Sequence, residues 1–421
     1  MSDIKNLPRH DVDILRQLAE CKVEIAEDSV NLERRRLWYL HDAGGGGRPM
    51  VLAETQGVQD AVLPLPESVL QCEDAWARSV EKTLRLEIYR FRTLGDDHVV
   101  EPYFTTNWKV NTSNYGAEVV LEYPENHGHL TARRWDPPIQ DLDRDFHKLA
   151  QRTFSVDRES TQGELSRLEH VFASILPVCI RGSHWWTMGM TWTAIELIGM
   201  ENMMLYMYDN PEGLHRLMKF LRDDHLAYAS WLEKEGLLNL NNQNDYIGSG
   251  STGYTHDLPL TDQEKRNSVR MRDQWVLVES QETVGVGPDQ FEEFVFPYQL
   301  SIAEQFGKCY YGCCEPVHSR SEILKDIPNL ARVSVSPWAD EAYMAESLKS
   351  DIVYSRKSTP TLISTEVFNE DAIRADLRHT LNVAHGCRVE LIMKDVHTLN
   401  NQPERLPRWV EIAREVIDEV A

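Results

Sequence analysis

The sequence predicts an α/β protein, a (β/α)8 TIM barrel with an N-terminal helical extension and an inserted hairpin. In the second half of the chain, short apolar strands and amphipathic helices alternate with short connections, which is typical of a parallel sheet covered by helices. Polar side chains follow the apolar part of nearly every predicted strand. The 421 residues suffice for one large barrel, and the absence of a Gly-rich phosphate turn favours a barrel over an open sheet.

The N-terminal helical extension is predicted over residues 1–47, packed on the barrel. Its first helix is indicated by apolar residues at helical spacing, which are Ile14, Leu15, Leu18, Cys21 and Ile25. Asn31 is the predicted N-cap of a second helix, and the four glycines at 44–47 form a flexible connection. The rest of the chain, 48–421, is predicted to be the barrel catalytic domain.

The barrel domain begins with a short buried strand, residues 48–54, which ends in the carboxylate of Glu54. The predicted elements that follow are a helix at 72–93, extended chain at 99–123, a helix at 160–175, a strand at 176–181 and a helix-rich block at 191–238. Alternation of apolar and polar residues at 117–121 predicts a strand followed by an inserted hairpin in the extended segment.

The second half of the chain shows strands and helices in regular alternation. Strands are predicted at 274–278, 308–312, 331–335, 352–354 and 388–393, with helices between them and a last helix at 403–420. Pro288 marks a helix start, and Asn369 caps a later helix that ends before Gly386. Leu362 and Ile363 are predicted to form a short further extended piece.

The composition excludes several classes of function. The formal net charge is −23, which is unfavourable for a surface that binds nucleic-acid phosphates or an anionic membrane. Residues 1–30 lack the apolar core of a signal peptide, and no run approaches the ~18 apolar residues of a membrane helix. The seven irregularly spaced cysteines fit reduced thiols better than a disulfide framework. We therefore expect a cytoplasmic protein with a small-molecule substrate, monomeric or homodimeric.

The polar residues at the predicted strand ends form the candidate site, because these ends converge on one mouth in a (β/α)8 barrel. They are Glu54, His184, Trp185, Trp186, Asn244, Asp245, Glu279, Gln281, Glu282, Cys313, Cys314, Glu315, Ser336, Trp338, Arg356, Lys394, Asp395 and His397. Because loops are polar in any protein, a single polar residue at a strand end is uninformative. The prediction rests on the recurrence of chemically reactive residues at successive strand ends. The substrate-binding candidates are Glu54, Trp186, Tyr311 and Arg356, with core packing as the alternative for the aromatic residues.

Residues 310–318, with the sequence YYGCCEPVH, contain the sharpest chemical signal. A Cys pair followed by Glu and His offers thiolate, carboxylate and imidazole ligands, which zinc binds in tetrahedral sites. Because successive residues on a strand point to opposite faces, only one of the two thiols is expected to reach the mouth. The alternative interpretation makes Cys313 and Cys314 small core residues.

Acids and a histidine after two other strands complete the catalytic candidates. Glu279 and Glu282 are candidates for a general acid/base pair, with a solvated loop as the alternative. Asp395 precedes His397 by two positions and would fix its tautomer if both side chains point the same way. A structural histidine is the alternative. The predicted catalytic residues are therefore Glu279, Glu282 and Asp395.

Several segments resemble the uroporphyrinogen decarboxylase-like superfamily. Residues 279–307, ESQETVGVGPDQFEEFVFPYQLSIAEQFG, are similar to its segment in which a helix ending in P-Y follows a barrel strand. The N-terminal DVDILRQLAECKVEIAEDSVNLERRRLWYL and RPMVLAE resemble a long branch of the superfamily that is related to corrinoid-dependent methyltransferases. The resemblance covers nearly the whole chain and implies a barrel enzyme.

The same resemblance implies a zinc site, but only part of the methyltransferase ligand set is matched in this sequence. YYGCCEPVH occupies the place of the H-x-C-G zinc motif of the methyltransferases, so that Cys313 matches the cysteine and Tyr311 stands where the histidine would be. The later ligand position most resembles His397, and Glu315 is the substitute ligand. Porphyrinogen decarboxylases carry an R-Q-A-G-R type motif, whereas the matching strand here ends in Glu54, so porphyrin decarboxylation is not expected.

Three hypotheses about function follow. The first is methyl transfer between a small methylated substrate or methyl carrier and a separate small corrinoid protein, with Zn²⁺ at Cys313, Glu315 and His397. The chain contains no D-x-H-x-x-G cobalamin motif, so any corrinoid comes on a partner. The second is a metal-free decarboxylase or lyase in which Arg356 holds a carboxylate. The third is a non-catalytic partner that binds a corrinoid or another protein.

Overall fold

A computed structural model describes residues 7–55, 65–122, 134–260 and 268–420 of the protein. The helices are α1 (Arg9–Glu27), α2 (Ser29–Asp42), α3 (Ala75–Tyr89), α4 (Leu142–Asp145), α5 (Arg158–Phe172), α6 (Thr191–Ile198), α7 (Met200–Asp209), α8 (Pro211–Lys234), α9 (Pro288–Phe294), α10 (Phe296–Ala303), α11 (Ser321–Leu324), α12 (Glu341–Leu348), α13 (Thr361–Ser364), α14 (Glu370–Val383) and α15 (Arg405–Val420).

The strands are β1 (Met50–Ala53), β2 (Phe104–Thr106), β3 (Lys109–Thr112), β4 (Leu121–Glu122), β5 (Arg134–Trp135), β6 (Phe154–Asp157), β7 (Val178–Ile180), β8 (Tyr246–Gly248), β9 (Ser251–Thr252), β10 (Trp275–Val278), β11 (Lys308–Tyr311), β12 (Leu330–Val335), β13 (Val353–Ser358) and β14 (Val389–Met393). The regular alternation predicted for the second half of the chain is confirmed, because every strand predicted there has its counterpart in β10 to β14.

A six-stranded parallel sheet lies at the centre of the protein, in the order β1-β14-β13-β12-β11-β10. The prediction of a parallel sheet with helices is therefore confirmed. Among the described strands, β1 and β10 are the edges of this sheet, and β2 and β7 form a separate parallel pair. Hydrogen bonds among these strands do not close the sheet into a ring, so the eight-stranded barrel stays a prediction.

The predicted insertion contains antiparallel pieces. β3 pairs with β6, and β4 pairs with β5. The alternating segment that suggested a strand at 117–121 is irregular up to Val120, and only its last residue belongs to β4. The strand partner of β3 lies some forty residues downstream, so this insertion is larger than a simple hairpin. Residues 123–133 lie outside the described residues.

A tight hairpin between β8 and β9 packs against strands from both halves of the sheet. A Cβ atom built on Gly248 would lie 2.7 Å from Cδ1 of Tyr310 in β11, and one on Gly250 would lie 2.7 Å from Cγ2 of Ile392 in β14. Both positions therefore require glycine. Between them, Ser249 has a positive φ of 41°, which turns its hydroxyl group toward the carboxyl ends of the strands. The hairpin thus brings a polar side chain to the site.

The N-terminal helices pack on this sheet through buried ion pairs. Asp42, the last residue of α2, pairs with Arg332 of β12 (3.2 Å) and with Lys308 of β11 (2.8 Å). Arg332 also pairs with Glu390 of β14 at 2.7 Å, and both side chains are fully buried. Burial of one of these charges without its partner is costly, so the pairs tie α2 to the sheet.

Two local predictions are wrong. The cap of α2 is Asp28, whose carboxylate accepts a hydrogen bond from the backbone N–H of Val30. Asn31 lies inside the helix, buried, and its side chain exchanges two hydrogen bonds with the backbone of Val100. Leu362 and Ile363, predicted as extended, belong to α13. Pro288 and Asn369 do stand at the starts of α9 and α14, as predicted. None of the described helices has both the length and the apolar character needed to cross a bilayer.

Candidate functional site

Two neighbouring thiols lie just beyond the carboxyl end of β11. The strand ends at Tyr311, and Gly312 then takes a φ of +93°, which turns the chain out of the strand. The Sγ atoms of Cys313 and Cys314 consequently lie only 3.5 Å apart. The prediction that a single thiol would reach the site is therefore wrong, because strand alternation no longer applies after Gly312.

A buried lysine from the carboxyl end of β14 lies against these thiols. The Nζ of Lys394 is 3.6 Å from Sγ of Cys313, 3.3 Å from Oγ of Ser249 and 3.7 Å from Oδ1 of Asp395. Lys394 itself is only 5% exposed. Ser249 and Asp395 both have positive φ angles, 41° and 57°, which are uncommon for residues other than glycine. Such backbone strain beside a buried charge is typical of a functional site.

The charge of Cys313 is set by these neighbours. Its pKa is lowered to about 7, first because Cys314 donates a hydrogen bond to it, and then because Lys394 and Ser249 stabilise the thiolate against the opposing effect of burial. The pKa of Cys314 is raised for the complementary reason, since its proton is held by the Cys313 sulfur. Cys314 also lies 3.2 Å from Oδ2 of Asp395. Cys313 is therefore the more acidic thiol of the pair and the one that ionises more readily.

A pocket of about 250 Å³ opens at the carboxyl end of β1. Its polar lining consists of Glu54, Glu87, Arg90, Asp96, His98, Asn244, Asp245, Tyr246, Ser251 and Thr252. Burial raises the pKa of Glu54, and the positive charge of Lys394 partly offsets this effect. Trp186 is 46% exposed and hydrogen-bonds with Tyr246, which lines the pocket.

Two polar atoms of the pocket-lining residues have no hydrogen-bond partner among the described residues. They are Nε of Arg90 and Oδ1 of Asn244, and both are buried. The remaining groups of these side chains are fixed, since Nη1 of Arg90 lies 3.0 Å from Nε2 of His98 and Nδ2 of Asn244 donates to the carbonyl of Val99. Burial lowers the pKa of His98 well below its ordinary value, so its ring is neutral and accepts. Buried polar groups are normally paired, so an unused donor and an unused acceptor on residues around one pocket favour a site for a small polar ligand.

Three buried carboxyl groups lie behind Cys313. Glu315 accepts hydrogen bonds from the backbone N–H groups of Ser280 (2.9 Å) and Cys313 (2.8 Å), and Glu282 accepts one from the Thr191 hydroxyl (2.6 Å). Within the described ranges, Oε1 of Glu279 has no hydrogen-bond partner. Burial, followed by the charges of Glu282 and Glu315, raises the pKa of Glu279 well above its ordinary value. Glu279 is therefore a neutral acid that can donate a proton.

Two predicted substrate-binding residues lie elsewhere. Tyr311 is fully buried, and its hydroxyl group lies 2.9 Å from Oε1 of Gln299 and 3.1 Å from Oγ of Ser280, inside the core. Arg356 pairs with Glu341 of α12 (2.8 Å) and Asp376 of α14 (3.5 Å). Its guanidinium group faces the surrounding helices, so Arg356 is not placed to hold a substrate carboxylate. Alternation along β13 instead turns the next residue, Lys357, toward the interior, where it contacts Tyr310.

The predicted zinc ligands Cys313, Glu315 and His397 are not gathered into one set. His397 is exposed, whereas both oxygens of Glu315 accept backbone N–H groups. Across the described ranges of the chain, no three His, Cys, Asp or Glu side chains are grouped so that they could hold a metal ion. The donor set therefore does not fit zinc as positioned here. The cation that faces the Cys313 sulfur is Lys394 instead.

Sequence reasoning included Lys394 among the polar strand-end residues but gave it no role, and it missed Ser249 and Arg90. The signal for Lys394 was its position, directly after the last apolar residue of β14. Ser249 carries no comparable signal, because only the hairpin turn between two glycines directs it to the site. Arg90 lies beyond α3, far from any predicted strand end.

Comparison with known proteins adds little to this geometry. No protein-family model matches the sequence, and no curated protein matches it. Among solved structures, the chain is similar to a methyltransferase from Methanosarcina mazei, with 12% sequence identity, a TM-score of 0.49, and coverage of 92% of this chain and 98% of that chain. A likeness of this degree establishes neither a family nor an activity for this chain.

Proposed function

We propose that this protein is an enzyme of the uroporphyrinogen decarboxylase-like type that transfers a methyl or similarly small alkyl group by way of the Cys313 thiolate. The observation that carries the proposal is the 3.6 Å contact between Sγ of Cys313 and the buried ammonium group of Lys394. A thiolate is the nucleophilic form of cysteine, and an adjacent cation stabilises it without removing its reactivity.

The chemical step is a displacement at carbon. The thiolate of Cys313 attacks the methyl carbon, an S–C bond forms, and the bond to the donor atom breaks with its electron pair remaining on the donor. Glu279, held neutral beside Cys313, supplies a proton when the departing atom needs one. The pocket lined by Glu54, Arg90 and Asn244 holds the polar part of the donor. Transfer of the group onward from sulfur regenerates the thiolate.

The methyl carrier in this proposal is a separate corrinoid protein, as the sequence resemblance implies. A zinc ion, which that resemblance also implies, would supply Lewis-acid stabilisation of the thiolate. In this proposal Lys394 provides that stabilisation instead, through its contact with the Cys313 sulfur. Metal analysis of protein purified without chelator tests the difference. About one zinc per chain, lost in both Cys313→Ser and His397→Ala, would restore the zinc hypothesis.

The direct test uses methylcobalamin as the methyl donor and the full-length chain. Wild-type protein should gain the mass of one methylene group on the peptide that contains Cys313, while the methyl–cobalt absorption falls. Cys313→Ser should show neither change, and Cys387→Ser, which alters a cysteine just before the amino end of β14, should behave as wild type. Equal demethylation by wild type and Cys313→Ser would refute the proposal. Saturable binding of methylcobalamin with no turnover in either would favour the non-catalytic partner.

A metal-free lyase or decarboxylase is the second candidate, and the unpaired Nε of Arg90 in the pocket favours it. In this case Arg90, rather than the predicted Arg356, holds the carboxylate of the substrate, and Glu279 donates the proton that replaces carbon dioxide. Binding of a panel of small carboxylates, measured by calorimetry, separates the two arginines. Loss of binding in Arg90→Lys but not in Arg356→Lys would support this candidate, and unchanged binding in Arg90→Lys would exclude it.

A further inference from the structure

We propose that Cys313 and Cys314 form a redox modification site, in which a hydroperoxide converts the two thiols into a disulfide between adjacent residues. The pair is the closest contact between thiols in the described part of the chain, with 3.5 Å between the sulfur atoms. It lies between a cation and an anion, since Lys394 contacts the sulfur of Cys313 and Asp395 contacts that of Cys314. This arrangement assigns different roles to the two sulfur atoms.

The first step takes place at Cys313. Its thiolate, facing Nζ of Lys394, attacks one oxygen of the hydroperoxide, so that an S–O bond forms and the O–O bond breaks. Cys313 becomes a sulfenic acid, and the departing oxygen takes a proton from solvent and leaves as water or an alcohol. In the second step the sulfur of Cys314 attacks the sulfur of Cys313. The S–O bond breaks, and the proton of Cys314 passes by way of Oδ2 of Asp395, 3.2 Å away, to the departing hydroxide, which leaves as water. Two thiols are thus oxidised, and one hydroperoxide is reduced.

The geometry requires a small movement, from 3.5 Å to the S–S bond length of about 2 Å. The backbone of Cys313 is held on both sides, because its N–H donates to Glu315 and its carbonyl accepts from Ser334 at 2.6 Å. Cys314 is partly exposed and lies in the irregular segment that follows β11, so the movement falls on Cys314. The exposed side of this residue also gives the oxidant its approach.

The consequence for the site is a reversible loss of its nucleophile. Oxidation removes the thiolate of Cys313 and leaves Lys394 beside a neutral disulfide. The chemistry of the thiol pair does not depend on the proposed function, but its effect on turnover does, because only a thiolate-dependent reaction would be switched off. A mass-spectrometric measurement of the disulfide therefore tests this inference independently of any activity.

The experiment treats the full-length protein at pH 7 with a small excess of hydrogen peroxide and digests it with trypsin under non-reducing conditions. The peptide 309–320 should lose two hydrogen atoms, fragmentation should place the bond between Cys313 and Cys314, and dithiothreitol should reverse the change. Cys313 should react at least about tenfold faster than Cys21 or Cys387, because burial raises the pKa of both of those thiols.

Cys314→Ser and Cys387→Ser are the matched variants. In Cys314→Ser the sulfenic acid of Cys313 has no resolving thiol, so it should be trapped by dimedone and should proceed to the sulfinic acid. Cys387→Ser should form the disulfide as wild type does. Oxidation of Cys313 directly to sulfinic or sulfonic acid in wild type, or equal reaction at Cys21, would overturn the inference. If the disulfide forms but methylcobalamin is not demethylated, the proposed methyl transfer is refuted while the redox site is supported.

Discussion

Lys394 is expected to control the ionisation of Cys313, and the variant Lys394→Met tests this directly. The change keeps much of the length and volume of the side chain and removes its charge. Because Nζ lies 3.6 Å from Sγ of Cys313, Coulomb's law gives an interaction of about 1 kcal/mol at the dielectric constant of water and about 5 kcal/mol at an effective value of 20. Lys394 is buried, so the true value lies above the lower limit.

The expected size of the effect follows from these limits. An energy of about 1.4 kcal/mol corresponds to one pKa unit, so the variant should raise the pKa of Cys313 from about 7 by at least roughly 0.8 and by up to about 3. Even the lower limit reduces the thiolate fraction at pH 7 about fourfold. The hydrogen bond from Cys314 remains in the variant and keeps part of the original lowering of the pKa.

The assay is the rate of alkylation by iodoacetamide as a function of pH, followed by mass spectrometry on the peptide 309–320. Wild type should show a midpoint near pH 7 at Cys313, and Lys394→Met should shift that midpoint upward. Lys234→Met, which changes an exposed lysine at the end of α8, should leave the profile unchanged. Superimposable profiles of wild type and Lys394→Met would refute the assignment of Lys394 as the counter-charge of the thiolate.

Three further predictions concern stability, each measured by urea unfolding. Glu390→Gln removes one partner of a fully buried ion pair and should lower the free energy of unfolding by about 3–5 kcal/mol. Glu419→Gln, at an exposed ion pair, should lower it by less than about 1 kcal/mol. Equal losses in the two variants would contradict the argument from burial. Gly250→Ala should cost about 1–3 kcal/mol more than Gly386→Ala, because the two glycines have similar positive φ angles but only the first Cβ would meet neighbouring atoms. Glu279 has a raised pKa in the folded state, so the folded protein binds the extra proton and its stability falls as pH rises above the unfolded value of about 4.3. We therefore expect the free energy of unfolding of Glu279→Gln, relative to that of wild type, to be higher at pH 8 than at pH 4. The same difference between the two proteins at both pH values would show that this carboxyl group is not held neutral.

The parts of the fold that the sequence predicted well are those fixed by local pattern. Each strand from β10 to β14 is a short apolar run between turn residues, and its neighbours along the chain are also its neighbours in the sheet. Pro288 and Asn369 stand at helix starts for local reasons, since one lacks a backbone N–H and the other supplies a side-chain acceptor. Asn31 misled the prediction because a long-range contact with Val100 replaces its capping role.

The site was predicted less well because its geometry depends on departures from local pattern. The pairing of Cys313 with Cys314 needs the positive φ of Gly312, which strand alternation does not anticipate. Successive side chains of β13 alternate between the interior and the helices, so an error of one residue in the assumed alternation places a side chain on the wrong face. Arg356 faces the helices for this reason, and Lys357 faces the interior. The sequence contains Lys394, but its distance to Cys313 results from the register of distant strands.

The pairing of β1 with β14 has a consequence for how the protein folds as it is synthesised. Met50 lies opposite Glu390 in this register, so more than three hundred further residues are synthesised after β1 before its partner strand is available. Contacts of such large sequence separation slow folding and prolong the time during which an apolar edge is exposed. Nascent chains stalled before β14 should therefore remain sensitive to proteases and dependent on chaperones, even though most of their helices are already complete.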